Sequence, residues 1–192
     1  MAGFTTAIVD GETRNFKVTL PEDLLRAQTI AGHSESRTGL GYDIHRFSAD
    51  PACGLYLGGI FFENEAGLEG HSDADVVLHA ATDALLGAAA LGDIGVHFPN
   101  SDPRWKDLRS EHFLRYAVAL VRDHGWRLAN LDIAVLAETP RIMRRAALMR
   151  EEIARALTVE IERIGLKATT NEGLGAIGRS EGIAAFATAT IV

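Results

Sequence analysis

Cysteine is all but missing from this chain: Cys53 stands alone among 192 residues. That excludes an internal disulfide framework and fits a reducing compartment. Long apolar runs are missing too. None approaches the ~20 residues of a membrane span, and the opening MAGFTTAIVDGE lacks the basic-then-apolar order of a signal peptide. Basic residues are the minority, 19 Lys and Arg against 26 Asp and Glu, and the net charge of −7 argues against a nucleic-acid or anionic-membrane surface. Internal repeats and low-complexity tracts are absent as well. What remains is the expectation of a cytoplasmic globular protein, with ordinary contents of 47% hydrophobic and 23% charged residues. Its length suits one domain with an appendage.

The most patterned stretch runs from Gly70 to Gly95, GHSDADVVLHAATDALLGAAALGDIG. Ser72 is a good N-cap residue, and Asp73 and Asp75 place negative charge where a helix dipole favours it. Val76, Val77, Ala80, Ala81, Ala84, Leu85 and Ala88 follow at helical period, which predicts a buried helix from about Asp73 to Leu91. Asp75, His79 and Asp83 recur at i, i+4 and i+8 and so share a stripe. A histidine between carboxylates can have its ring and tautomer fixed by one of them, as a metal ligand or catalytic base requires. A solvated acidic stripe with an incidental histidine explains the same spacing.

A second pattern precedes it. In RTGLGYDIHRF, Asp43 and His45 alternate with Tyr42, Ile44 and Arg46, so a strand points the carboxylate and the imidazole to one face. With a histidine from the helix, Asp-x-His makes a three-ligand zinc site whose fourth position stays open for substrate. Read alone, Asp-x-His also fits a plain solvated strand face.

The rest of the chain supplies the frame. Phe4 to Val9 and Asn15 to Thr19 read as strands around an Asp10-Gly11 turn. Pro21 starts a short helix, PEDLLRAQ, and Thr29 to Arg37 reads as a linker. Leu55 to Phe62 (LYLGGIFF) reads as one strand with a glycine kink. After the long helix, GDIG and HFPNSDP read as loop, and their Asp, His and Asn are candidate substrate contacts. Ser110 caps a helix to about His124, Leu131 to Leu136 is a buried strand, and Met143 to Leu157 is a helix with a solvated Arg-rich face. Ile164 to Thr169 and GIAAFATATIV close the list of strands. Elements interleaved in this way predict an α/β two-layer sandwich, a mixed β-sheet packed with helices. Between the last two strands, Thr169, Thr170, Glu172, Arg179 and several glycines suit a phosphate: amides approach, hydroxyls donate and arginine neutralises. A tight loop also explains that segment.

Taken in order, GYDIHRF, GHSDADVVLHAATDALLGAAALGDIG, HFPNSDP, KATTNEGLG and GRSEGIA resemble the motifs of the 2-C-methyl-D-erythritol 2,4-cyclodiphosphate synthases of the non-mevalonate isoprenoid pathway. The resemblance runs from about Thr38 to the C-terminus. It implies a homotrimer that binds 4-diphosphocytidyl-2-C-methyl-D-erythritol 2-phosphate across a subunit boundary. The 2-phosphate of that substrate attacks its own β-phosphate and expels CMP. Asp43, His45 and His79 are implied as ligands of a zinc-like ion, and Glu172 as the holder of a second ion, Mg2+ or Mn2+. His71 and Thr170 match the positions that stabilise the transition state. Among the implied substrate contacts, Ser72, Asp93, Ile94 and Gly95 meet the methylerythritol portion beside Asp43, Ile44, His45 and His71. Phe98, Pro99, Asn100, Ser101 and Asp102 form the adjoining loop. Ala137, Glu138, Thr139, Pro140, Arg141, Ile142 and Met143 form the cytosine pocket, offered by a neighbouring chain. Thr169, Thr170, Asn171, Glu172, Ala176 and Arg179 complete the set, with Asp75 and Asp83 as outer or structural support.

The resemblance has departures. Ala176-Ile177 stands where many members carry Phe-Thr, which alters the hydrophobic cavity on the trimer axis where an isoprenoid diphosphate would sit beside Arg179. Asn100 replaces a common acid, and KDLRS (Lys106 to Ser110) replaces a usual KGADS. Ahead of all this, NFKVTLPEDL resembles the extreme C-terminus of the 4-diphosphocytidyl-2-C-methyl-D-erythritol cytidylyltransferases. The implied division is residues 1–36, a cytidylyltransferase tail plus linker, and 37–192, the cyclase, as in a fusion of the two enzymes. Lacking the nucleotide-binding body, this chain is expected to show no cytidylyltransferase activity. Two other readings use the same residues: a zinc phosphoester hydrolase with an activated water, and a non-enzymatic isoprenoid-diphosphate-binding regulator whose metal is structural.

Overall fold

The computed structural model describes residues 10–13, 15–32, 35–70, 72–99, 102–105 and 108–192, in two compact units, 1–35 and 36–192. In the first unit, helix α1 (Pro21–Ile30) opens with Pro at its first turn, and the Asp23 carboxylate accepts from the N–H groups of Thr19 and Leu20, each at 3.0 Å. The Leu20 amide, at the N-cap, is a donor that a helix start leaves without a partner. The helix takes Thr29 and Ile30 from the expected linker. Asn15 to Thr19 is irregular and not a strand, because among the described residues of this unit no strand lies beside it to pair with. The strand expected over Phe4 to Val9 lies outside the described residues.

Along the second unit run β1 (Arg37–Arg46), β2 (Gly54–Leu57), β3 (Ile60–Ala66), α2 (Val76–Ala88), α3 (Ile94–His97), α4 (Glu111–Asp123), β4 (Leu128–Leu136), α5 (Ala146–Leu157), β5 (Ile164–Thr169), α6 (Gly175–Gly178) and β6 (Gly182–Ile191). The main sheet has the order β1-β6-β4-β5. β6 pairs antiparallel with both β1 and β4, while β4 and β5 are parallel, so the sheet is mixed. Helix α5 makes the crossover that a parallel pair requires. Helix α2 lies against β1 and β6, α4 against α2, and α5 against β5 and α4. Leu85, Leu114, Ile133, Ile153 and Ile191 are fully buried between these layers. The other face of the sheet leaves Leu40, Tyr42, Ile44 and Phe186 exposed. No helix among the described residues is long and apolar enough to cross a membrane.

One contact sets the geometry of everything that follows. A Cβ added to Gly41 would stand 1.9 Å from the Ala80 carbonyl oxygen, and one added to Gly39 would stand 2.2 Å from that of Ala84. With glycines on the strand and Ala80, Ala84 and Ala88 on the helix, the backbones of β1 and α2 nearly touch. Asp43 and His45 continue the same face of β1 at period two. They therefore arrive beside the next helical residue toward the N-terminus, His79.

Several local expectations are corrected. Ser72 does not cap α2 and Asp73 is not in its first turn. Ala74 adopts a left-handed φ of 52°, and Asp75 is the N-cap, accepting from Val77 and Leu78 N–H at 3.1 Å each. Leu55 to Phe62 is not one kinked strand but a hairpin, because Gly58 and Gly59 both take positive φ, 59° and 80°, which turns the chain back. The same Asp75 carboxylate accepts from Gly58 N–H at 2.9 Å and Gly59 N–H at 2.7 Å, fastening the hairpin to the helix start. Part of the expected loop after α2 is the short helix α3, capped by Asp93. Ser110 precedes α4 but its hydroxyl makes no cap bond. A 3-10 turn, Ile142–Arg145, delays the start of α5 to Ala146.

Candidate active site

Strand β1 and helix α2 bring three side chains together. Asp43 Oδ2 lies 3.2 Å from His45 Nε2 and 2.9 Å from His79 Nδ1. The three are half-buried, and their ligand atoms fall within 4.8 Å of one another, a group that can hold a metal ion. His45 tests the fit. Its Nδ1 is 2.5 Å from the Glu69 carbonyl oxygen, which only accepts, so Nδ1 carries the hydrogen. A neutral ring then turns the Nε2 lone pair toward the Asp43 oxygen. That approach is repulsive unless a cation, proton or metal, lies between them. One carboxylate with two imidazoles is also the donor set of catalytic zinc, three protein ligands and a position left for substrate.

The electrostatics agree. Burial alone would raise the Asp43 carboxyl, but the hydrogen bonds and charges of His45 and His79 hold it well below the usual carboxylate range. Donation of its Nε2 hydrogen to Asp43 in turn raises His45 against its burial. A raised imidazole keeps its proton to higher pH, and that proton competes with metal for Nε2. Divalent-metal affinity is therefore expected to be full above the raised His45 value and to fall about tenfold per pH unit below it. Chelator-competition titrations at several pH values check this; an affinity indifferent to pH would sink it.

Other expected residues gather around the trio. Ser72 Oγ is 3.2 Å from His79 Nε2, and Ser110 Oγ is 2.8 Å from it. Asp83, one turn along α2 from His79, accepts from Ile94 N–H at 2.8 Å, which fixes Asp93, Ile94 and Gly95 at the start of α3. Burial raises the Asp83 carboxyl, the Ile94 bond lowers it, and the charges of Asp93 and Asp43 raise it further. Phe98 is buried among the rings of Trp105, Phe113 and Tyr116. Asp102 is engaged by Arg104 at 2.6 Å. His71, Asn100 and Ser101 lie outside the described residues, as does Lys106.

A cavity of about 310 Å³ opens where β4 and β5 end, lined by Ala137, Pro140, Arg141, Ile142, Met143, Thr169 and Thr170 among others. Thr139 joins Pro140 through a cis peptide bond. Glu138 uses its carboxylate on the glycine segment, accepting from Asn171 N–H at 3.0 Å and Gly173 N–H at 3.4 Å. Thr170 Oγ1 donates to Glu172 at 3.1 Å, and Glu172 itself has a left-handed φ of 50°. None of Asp43, His45, His79 and Glu172 lines this cavity. A second hollow, about 640 Å³, is walled by Ile44, His45, Ala176 and Ile177. Arg179 is paired with Glu181 of the same motif at 2.6 Å.

Sequence reasoning missed two features of the site. The Glu69 carbonyl that fixes His45 is backbone, invisible to residue type. Asp73, Arg109 and Ser110 form a polar cluster behind His79, with Arg109 Nε 3.0 Å from Asp73 and the Ser110 hydroxyl donating to it. Lying 36 and 37 residues apart, they leave no local spacing to find.

Fold and site define a class: a mixed-sheet α/β protein with a carboxylate–imidazole group, able to hold a metal ion, where a strand meets a buried helix. Residues 36–192 match the YgbB family, and the chain belongs to that family. It is 50% identical over 192 residues to "Bifunctional enzyme IspD/IspF" of Ruegeria pomeroyi, covering 100% of this chain and 50% of that protein. It thus spans about half the length of the curated relatives it matches. Among solved structures, a 2C-Methyl-D-erythritol-2,4-cyclodiphosphate Synthase superposes with a TM-score of 0.74 at 38% identity, over 81% of this chain and 100% of the other. IspF of Plasmodium falciparum in complex with CDP gives 0.72 at 34% identity, over 82% and 96%.

Proposed function

We propose that this chain is a 2-C-methyl-D-erythritol 2,4-cyclodiphosphate synthase. The observation that carries the reading is the Asp43–His45–His79 trio, whose ligand atoms gather within 4.8 Å in a chain of the YgbB family. An oxygen of the substrate's 2-phosphate forms a bond to its β-phosphorus as the bond to the CMP oxygen breaks, and CMP leaves with that electron pair. The reacting groups are tethered already, so the protein needs no nucleophile, only positioning and neutralisation of charge. When bound at the trio, a zinc-like ion would supply Lewis-acid polarisation of a phosphoryl oxygen. Glu172 would hold a second ion, Mg2+ or Mn2+, against the phosphates.

The chain's own residues have definite roles in this reading. Thr170 donates its hydroxyl to a charged phosphoryl oxygen, exchanging the bond it now gives Glu172, and His71 is assigned the matching donor role. Ser72, Asp93, Ile94 and Gly95 orient the methylerythritol portion. The cavity bounded by Ala137–Met143 has a volume suited to cytosine, a reading that the CDP held by the Plasmodium relative supports. Its separation from the trio's residues suits a site completed by a neighbouring chain, and the exposed apolar face of Leu40, Tyr42, Ile44 and Phe186 suits a homotrimer's interior. Residues 1–36 we assign to the tail of a cytidylyltransferase: relatives named as bifunctional align along 99% or more of this chain and carry as much again. Cys53 is a free thiol, the state a reducing cytoplasm maintains, and we place the enzyme there.

Phosphorus NMR of the reaction tests the function. Incubation of the substrate with protein and divalent metal is expected to give cyclic diphosphate and CMP in equal amounts. An opened phosphate monoester would instead make the protein a hydrolase.

A further inference from the structure

We propose that Asp73 and Ser110, held by Arg109, form a positioning relay that fixes the tautomer and direction of His79; the proposal rests on the metal-site reading above. The hydrogens leave little choice. Ser110 is fully buried, and its hydroxyl has one hydrogen to give. The Asp73 carboxylate can only accept, and it takes that hydrogen. Oγ is then left with lone pairs, one of which faces His79 Nε2 at 2.8 Å. Nε2 must therefore carry the ring hydrogen. In the neutral, metal-ligating ring the lone pair is then on Nδ1, the nitrogen 2.9 Å from Asp43 Oδ2 and turned to the ligand position.

Asp73 does not stand free to swing. Ser110 N–H reaches both its oxygens at 3.2 Å, and Arg109 Nε donates at 3.0 Å. Arg109 is anchored in turn: its guanidinium lies 3.9 Å over the Tyr56 ring and donates to the Gly59 carbonyl at 3.2 Å. The β2–β3 hairpin and the entry to α4 are thus coupled to one imidazole of the trio. Groups that orient a ligating histidine from behind typically change metal affinity or activity by about 10- to 100-fold when removed.

Zinc affinity of the full chain, measured by chelator competition, tests the relay with no recourse to catalysis. Ser110→Ala is expected to weaken Zn2+ about tenfold. Asp73→Asn is expected to do about the same, and the double variant to be no weaker than Ser110→Ala, since the two act in series. Ser110→Thr, which keeps the hydroxyl, should restore affinity toward wild type and decides the matter should Asp73→Asn fail to fold. Losses that add in the double variant would overturn the relay. So would unchanged affinity accompanied only by a lower melting temperature, the mark of a purely structural cluster. A wild-type protein that binds Zn2+ yet releases no CMP would overturn the synthase function while leaving the affinity result to stand by itself.

Discussion

Replacing His79 with alanine is expected to remove metal binding and CMP release together while the fold survives. Alanine is the best helix former, and α2 is held by a wall of other apolar residues, so the helix loses nothing it needs. What disappears is one of the three proposed ligands. A catalytic zinc site works with three protein donors, and two cannot hold it with useful affinity. Losing a Lewis acid worth several kcal/mol in the transition state corresponds to about a 10³-fold drop in turnover, or more. Circular dichroism, elemental analysis and a CMP assay on the same sample check all three statements. A protein that unfolds with no separable catalytic defect would mean that the metal is structural.

Gly41→Ala is expected to damage stability and the metal site at once. The added methyl would meet the Ala80 carbonyl oxygen at 1.9 Å and the Ala84 nitrogen at 2.7 Å, both backbone atoms that cannot rotate away. Relief requires α2 to retreat from β1. Overpacking of a core costs about 1–3 kcal/mol, occasionally more, and a backbone-to-backbone clash belongs at or beyond the top of that range. The retreat also separates Asp43 from His79, now 2.9 Å apart, so zinc affinity should fall with stability. Gly87→Ala is the control. It sits on the same helix, yet its Cβ would meet nothing nearer than 3.9 Å, and the change should be neutral or mildly stabilising. Thermal melts and zinc titrations of both variants separate close packing from any general intolerance of α2.

Which parts of this site could be read from the sequence follows from the range of the forces involved. Asp43 and His45 were legible because a strand repeats every two residues, and His79 because the apolar spacing around it declares a helix. Their meeting was not legible from spacing; it depends on Gly39 and Gly41 lying under Ala80, Ala84 and Ala88. Asp75 was misplaced on the His79 stripe because i, i+4 spacing cannot show that a residue is an N-cap, bonded to two hairpin amides. Gly58-Gly59 reads as a kink within one strand until the signs of φ are known. Of the cavity where β4 and β5 end, Thr169 and Thr170 were legible as hydroxyls beside glycines, while Ala137 to Met143 came from the resemblance to a family and not from any periodicity. The relay behind His79 joins atoms from distant segments through a serine whose place before α4 made it look like an ordinary cap.

The most direct test begins with protein stripped by a chelator. Zinc is titrated back while bound metal and CMP release are followed in one sample. Release rising in step with occupancy, to one zinc per chain, and silent in the His79→Ala variant, is the expected result. Full-rate release from the stripped protein would contradict it.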